Sequence, residues 1–209
     1  MSHAKFDEAA REALTHCIRE IEKTSDAELV LIIRARSGSY RHADYLFGSV
    51  LAFAGLNFLL FAPVNFQVYW VAIDVALLFA LGAFLSSRSN FIRYLLTNKR
   101  HRKEAVRTGA AAMFYEAGIA NTEAEMGVLV YLSLLERRLE LIADRGVLKA
   151  VPALDWNRIL FELHRAGKKP EPDTLLKGLA ELGDLLAEHL PATGENPNEL
   201  PDLPRFELK

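Results

Sequence analysis

Six carboxylates could do chemistry if the fold gathered them: Glu28, Glu123, Glu125, Glu136, Glu140 and Asp144. Clustered acids hold hard divalent cations such as Mg2+ or Ca2+ through oxygen ligands. A cation held that way could assist hydrolysis of a phosphomonoester. Glu28, Glu125, Glu136 and Asp144 are the set such a phosphatase would use. Arg137, Arg138 and Arg145 lie among the acids, so ordinary ion pairs compete for the same oxygens. The histidines (His3, His16, His42, His101, His164 and His189) show neither H-E-x-x-H nor paired metal spacing. His16 and Cys17 are neighbours on a helical pattern, so their side chains point about 100° apart. Cys17 falls on the apolar stripe, where it packs as a small hydrophobe. G-x-S-x-G, P-loop and G-x-G-x-x-G motifs are all missing. No catalytic, cofactor-binding or metal residue is assigned on these grounds.

The 209 residues carry 25 Lys+Arg and 27 Asp+Glu, a net charge of −2. That balance excludes a general nucleic-acid binder, which needs a broad basic face. The lone cysteine excludes an internal disulfide. More informative is where charge is missing. From Tyr45 to Leu85 the only Asp, Glu, Lys, Arg or His is Asp74.

This apolar stretch breaks at Pro63-Val64-Asn65-Phe66-Gln67, leaving Tyr45–Ala62 and Val68–Leu85 at 18 residues each. At 1.5 Å per residue each reaches roughly 27 Å, close to the hydrocarbon thickness of a bilayer. The pair therefore reads as a transmembrane helical hairpin, with Tyr69 and Trp70 at an interface. Gly48, Ala52 and Gly55 recur at near-helical spacing and would let the second helix approach closely. Arg34, Arg36 and Arg41 precede the hairpin; Arg88, Arg93, Lys99, Arg100, Arg102, Lys103 and Arg107 follow it. The turn has no such charge, so both termini are expected in the cytosol, with two spans in the inner membrane. Lys99-Arg100-His101-Arg102-Lys103 suits anionic lipid at the cytoplasmic leaflet. Asp74 is expensive inside a bilayer and wants a partner, for which Asn57 lies at similar depth.

The remainder reads as one soluble domain split by the hairpin. Residues 5–23 carry a buried stripe of Phe6, Ala10, Ala13, Leu14, Cys17, Ile18 and Ile21 at helical spacing. Glu28–Ala35 is a nearly unbroken apolar run, the mark of a strand buried on both faces. Gly127–Ser133 and Arg138–Ala143 read as a β-hairpin. The first strand has no neighbour before the insertion, so it must pair with this hairpin across it. Helices are expected over Lys103–Ala117 with a stop at Gly118, and over Trp156–Ala166 with Asp155 as N-cap and a stop at Gly167. A last one runs from an Asp173 cap to about Leu190. The expected organisation is 1–44 (first helix and strand), 45–85 (hairpin), 86–190 (rest of the domain) and 191–209 (a mobile, Pro-rich acidic tail). The fold class is α/β, α+β-like, with a small sheet sandwiched by helices.

Phe114-Tyr115-Glu116-Ala117-Gly118-Ile119, Thr122, the strand Gly127–Ser133 with Leu134-Leu135-Glu136-Arg137-Arg138, and Ile142-Ala143-Asp144-Arg145-Gly146-Val147 resemble the TPM domain family. So does Glu22-Lys23-Thr24-Ser25-Asp26-Ala27-Glu28-Leu29-Val30, like that family's entry into its first strand. The resemblance covers about 5–37 and 103–190. It implies an α/β sandwich whose small mixed sheet lies between helices. Most members are extracytoplasmic, so an inserted two-span hairpin marks this chain as similar to a bacterial membrane-protein branch. The family's roles include acid phosphatase-like activity, photosystem II repair in thylakoids and accessory-subunit work on an animal receptor.

The expected function is a membrane-anchored, non-enzymatic module that binds or helps assemble other membrane proteins. Its partners are the lipid bilayer and such proteins, not nucleic acid. The enzymatic alternative is a weak metal-assisted phosphomonoesterase with Mg2+ or Ca2+. A channel or transporter component, resting on Asp74 alone, comes third.

Overall fold

A computed structural model describes residues 6–63, 67–194, 199–200 and 203–208. The chain divides into two compact units: residues 1–37 with 103–209, and residues 38–102. The first is continuous in space but interrupted in sequence by the second.

In the first unit, α1 (Glu8–Thr24) starts where the Asp7 carboxylate accepts from the Ala10 N–H. It leads into β1 (Glu28–Arg34), which pairs in parallel with β2 (Gly127–Ser133) over its whole length. β2 turns back antiparallel into β3 (Arg138–Ala143). The expected sheet across the insertion is therefore present. Both β1 and β2 are buried along nearly every residue, which is why neither alternates apolar with polar.

Each face of the sheet has its own core. Leu29, Leu31, Ile33, Val128, Val130 and Leu132 pack with Leu14 and Ile18 of α1. Leu163 of α7 (Ala153–Lys168) and Leu179, Leu182 and Leu186 of α8 (Pro172–His189) complete that layer. On the other face Val30, Ile32, Leu129 and Tyr131 meet Val106, Ala110 and Phe114. Those three lie on α5 (Lys99–Glu116), and Gly118, two residues beyond its end, has φ +76°.

Several boundaries differ from expectation. α7 begins after Pro152 and α8 after Glu171, so Asp155 and Asp173 sit inside first turns, where a negative charge suits the helix dipole, and are not caps. Gly167 does not stop α7; it continues the helix against Leu139, whose backbone N would lie 2.5 Å from any Cβ there. Ala13 is exposed and Trp156 only half-buried, because each lies at the margin of its helix's stripe. A short α6 (Arg145–Ala150) was not expected. The tail also departs from the mobile segment anticipated. β4 (Arg205–Glu207) adds to β1 in parallel, giving the order β3-β2-β1-β4. The reason is local: β1 would otherwise be an open edge, and Ala35 N–H donates to the Glu207 carbonyl at 2.9 Å.

The second unit is a hairpin of α2 (Arg41–Phe61) and α3 (Val68–Arg88), followed by α4 (Asn90–Leu96). Val64, Asn65 and Phe66 of the expected turn lie outside the described residues. Both helices are long and apolar enough to cross a membrane. Their contact is made of small residues: a Cβ on Gly48 would lie 2.7 Å from the Phe79 carbonyl oxygen, and one on Gly82 would lie 2.9 Å from the Gly48 Cα. The large side chains stand outside. Phe53, Phe58, Phe61 and Leu77 are each more than 60% exposed.

Candidate functional site

The six acids do not form one site. Glu28 opens β1, and Glu123, Glu125 and Asp144 lie near it because Gly127 pairs with Glu28 and Val128 with Ala143. Glu136 lies at the opposite end, in the β2–β3 turn. Within the near group, Glu28 and Asp144 each use one carboxylate oxygen to accept from backbone. Glu28 Oε1 accepts from the Glu199 N–H at 2.9 Å, and Glu199 Oε1 from the Glu123 N–H at 3.1 Å. Asp144 caps α6 by accepting from the Arg145 N–H at 2.7 Å. The Glu125 residue, at φ +55°, uses its carbonyl to accept from the Gly146 N–H. Among the described residues no three His, Cys, Asp or Glu side chains are grouped to hold a metal.

Glu140 stands on β3 with Arg138 Nε and His164 Nε2, each 3.6 Å from its carboxylate. Burial raises its pKa, but His164, Arg138 and Lys103 outweigh that and leave it below the ordinary value. Cys17 is half-buried against the core, and burial pushes its thiol up. A thiol so placed is a poor nucleophile.

Reading the sequence for motifs missed a buried polar chain at the carboxyl end of β2. Ser37 Oγ donates to Ser133 Oγ at 2.8 Å and lies 2.8 Å from Tyr131 Oη. Ser133 Oγ in turn donates to Glu136 Oε2. The other Glu136 oxygen accepts from the Ser37 N–H at 2.9 Å. Burial raises the Tyr131 pKa, opposed by Ser37 and Arg34. Gly109 makes room for this chain, since a Cβ there would lie 2.8 Å from Tyr131 Oη. Ser37 is the last residue before the insertion, so these bonds fasten the strand end from which it departs.

The hairpin unit has a second buried polar group. Asp44 accepts from Ser86 Oγ at 2.8 Å, from Arg93 Nε at 3.0 Å and from the Arg93 terminal nitrogen at 2.7 Å. The two-pronged guanidinium contact ties α2, α3 and α4 together at the charged end of the hairpin. At the same end His101 meets both Tyr40 and His42 edge-on, with the two imidazoles 5.1 Å apart. The insertion's two ends therefore lie together.

Asp74 lines a groove of about 530 Å3 with Gly55, Phe58, Leu59, Leu77, Leu78 and Leu81. Asn57 does not reach it: its amide donates to the Phe53 carbonyl one turn back, at 2.8 Å. The expected pair fails because a side chain on an α-helix reaches its own i−4 carbonyl more easily than a neighbouring helix. A separate cleft of about 720 Å3 between α7 and α8 is lined by Arg165, Lys168, Lys169 and Lys177 but also Glu162, Glu171 and Glu181. Its charges of both signs select no ligand class.

No protein-family profile matches the chain. A stretch of 37 residues is 49% identical to flap endonuclease Xni of Shewanella halifaxensis, covering 18% of this chain and 15% of that protein. The chain thus spans about 15% of the length of that curated relative. Across nearly the whole length, the chain is similar to the NMR structure of BA42 protein from Bizionia argentinensis. The TM-score is 0.58 at 14% identity, over 96% of this chain and 94% of that one. That likeness establishes a shared mixed α/β fold.

Proposed function

We propose that this chain is a two-span membrane protein with both termini cytosolic, whose TPM-like domain acts without catalysis as a docking or assembly module for other membrane proteins. One observation carries the reading: α2 and α3 pack small residues inward and turn their large apolar side chains outward. In water that arrangement exposes a large apolar area with nothing to cover it. In lipid it is the ordinary way helices pair, since tails solvate the large residues and close contact comes from small ones. The basic flanks support the orientation with both termini cytosolic. The absence of a converged carboxylate site among the described residues leaves the metal-assisted phosphatase without an observation in its favour.

Membrane partition and cysteine labelling test the reading. The protein should stay with membranes through an alkaline wash and leave only with detergent. In a Cys17→Ser background, a membrane-impermeant maleimide should label Gln67→Cys in intact cells. Glu181→Cys should react only after the cells are opened. Release by alkali would overturn the anchor, and labelling of Glu181→Cys in intact cells would overturn the orientation. For the module, detergent pull-down should recover a membrane protein whose capture is lost on replacing exposed residues of α7 and α8. Capture that survives those replacements would overturn that role.

A further inference from the structure

α4 is too short to span anything, yet its exposed side is apolar. Phe91 is 71% and Leu95 69% exposed, and their i, i+4 spacing puts them on one face. Arg93 lies about 180° around the helix from them. It is held there by the buried, two-pronged pair with Asp44, whose side chains are 11% and 8% exposed. Tyr94 is covered in its turn by the Arg102 guanidinium, 3.7 Å above its ring. The rotation of α4 about its axis is thus fixed by ionic and cation–π contacts, and the apolar face is the one left uncovered. Ser89, the residue after α3, accepts from the Ile92 N–H and starts α4 directly, with no loop to carry it away from the end of the hairpin. Arg41, Arg88, Lys99 and Arg100, all exposed, belong to the same unit.

We propose that α4 is an interfacial helix that presses Phe91 and Leu95 into the acyl boundary of an anionic leaflet, with Arg88, Lys99 and Arg100 at its headgroups. This rests on the membrane reading of α2 and α3 and adds a second lipid contact to it. An apolar helix face flanked by cations is the pattern of segments that lie in the membrane plane. Anionic lipid is the occupant favoured by the charges, each basic residue near the surface adding about 1 kcal/mol of attraction. The Asp44–Arg93 pair has a stated job in this arrangement: it holds the apolar face in one direction.

The test uses the full chain reconstituted in phosphatidylcholine–phosphatidylglycerol vesicles with lipids brominated either near the headgroup or deep in the chain. Trp156→Phe leaves Trp70 as a reporter of the hairpin. Adding Trp70→Phe and Phe91→Trp moves the reporter to α4, and Leu95→Trp serves as the second variant. Both α4 reporters should be quenched at least two-fold more by shallow than by deep bromine. They should also resist aqueous acrylamide, and lose part of the quenching when phosphatidylglycerol is omitted. If Trp70 is quenched while Phe91→Trp and Leu95→Trp respond only to acrylamide, the interfacial role of α4 is wrong and the anchor stands. If Trp70 itself is not quenched, the anchor fails and this proposal with it.

Discussion

In the sheet unit Leu29, Leu31, Leu129 and Leu163 are at most 1% exposed, whereas in the hairpin unit Val50, Phe53, Phe58 and Leu77 are more than half exposed. Composition alone does not separate these residues; their surroundings do. The sheet unit hides large side chains between layers and leaves charge outside, as a chain folding in water must. The hairpin unit reverses the order, with glycines inside and phenylalanines outside. Each unit nevertheless keeps one buried polar group near the junction in sequence: Ser37–Tyr131–Ser133–Glu136 in one, Asp44–Ser86–Arg93 in the other. The comparison teaches that exposure of apolar side chains is a defect only relative to a solvent, and lipid is the solvent we propose for the hairpin unit.

The largest expected effect comes from separating the two. Replacing 38–102 by a short Gly/Ser linker should abolish the need for detergent while leaving cooperative unfolding of the sheet unit. Ser37 and Gly109 are close neighbours, so the bridge is short. A linker variant that aggregates without a thermal transition would break the comparison. Within the hairpin, Arg93→Ala strands a buried Asp44 carboxylate and should cost about 3 kcal/mol. Asp44→Asn in the same chain should recover part of it in a double-mutant cycle. Additive losses would mean the pair contributes little.

A core position and an outward-facing hairpin position then give different results for similar truncations. Leu163→Ala in micelles should lower unfolding free energy by about 2–5 kcal/mol. Phe53→Ala should leave the sheet unit's denaturation midpoint unchanged. Equal effects would erase the distinction between the units. Gly109→Ala pushes against Tyr131 Oη and should cost about 1–3 kcal/mol, read from the same midpoint.

The smallest effect concerns pH. Glu140 has a folded pKa below its ordinary value, so its contribution is present above the unfolded carboxyl pKa of about 4.3. It is lost as pH falls through the lower folded value. Stability should therefore drop more gently below about pH 4 in Glu140→Gln than in the parent. An unchanged acid slope would show that His164 and Arg138 do not hold this carboxylate.

Much of the architecture was legible one-dimensionally because burial leaves a periodic trace. Unbroken apolar runs at Glu28–Arg34 and Gly127–Ser133 required a sheet split across the insertion, and the charge gap from Tyr45 to Leu85 required two long apolar helices. Gly48 and Gly55 announced close helix contact by their size alone. What pattern could not supply was the identity of long-range partners. The parallel β1–β2 register, the return of Arg205–Glu207 to the β1 edge and the Asp44–Arg93 bond each join residues far apart in sequence. So does the dispersal of the six acids, since carboxylates near in sequence were placed at opposite ends of one strand. Hydrophobic spacing records only whether a residue is hidden. Which group it then meets depends on how the layers stack, and that is settled by packing and hydrogen-bond geometry in three dimensions.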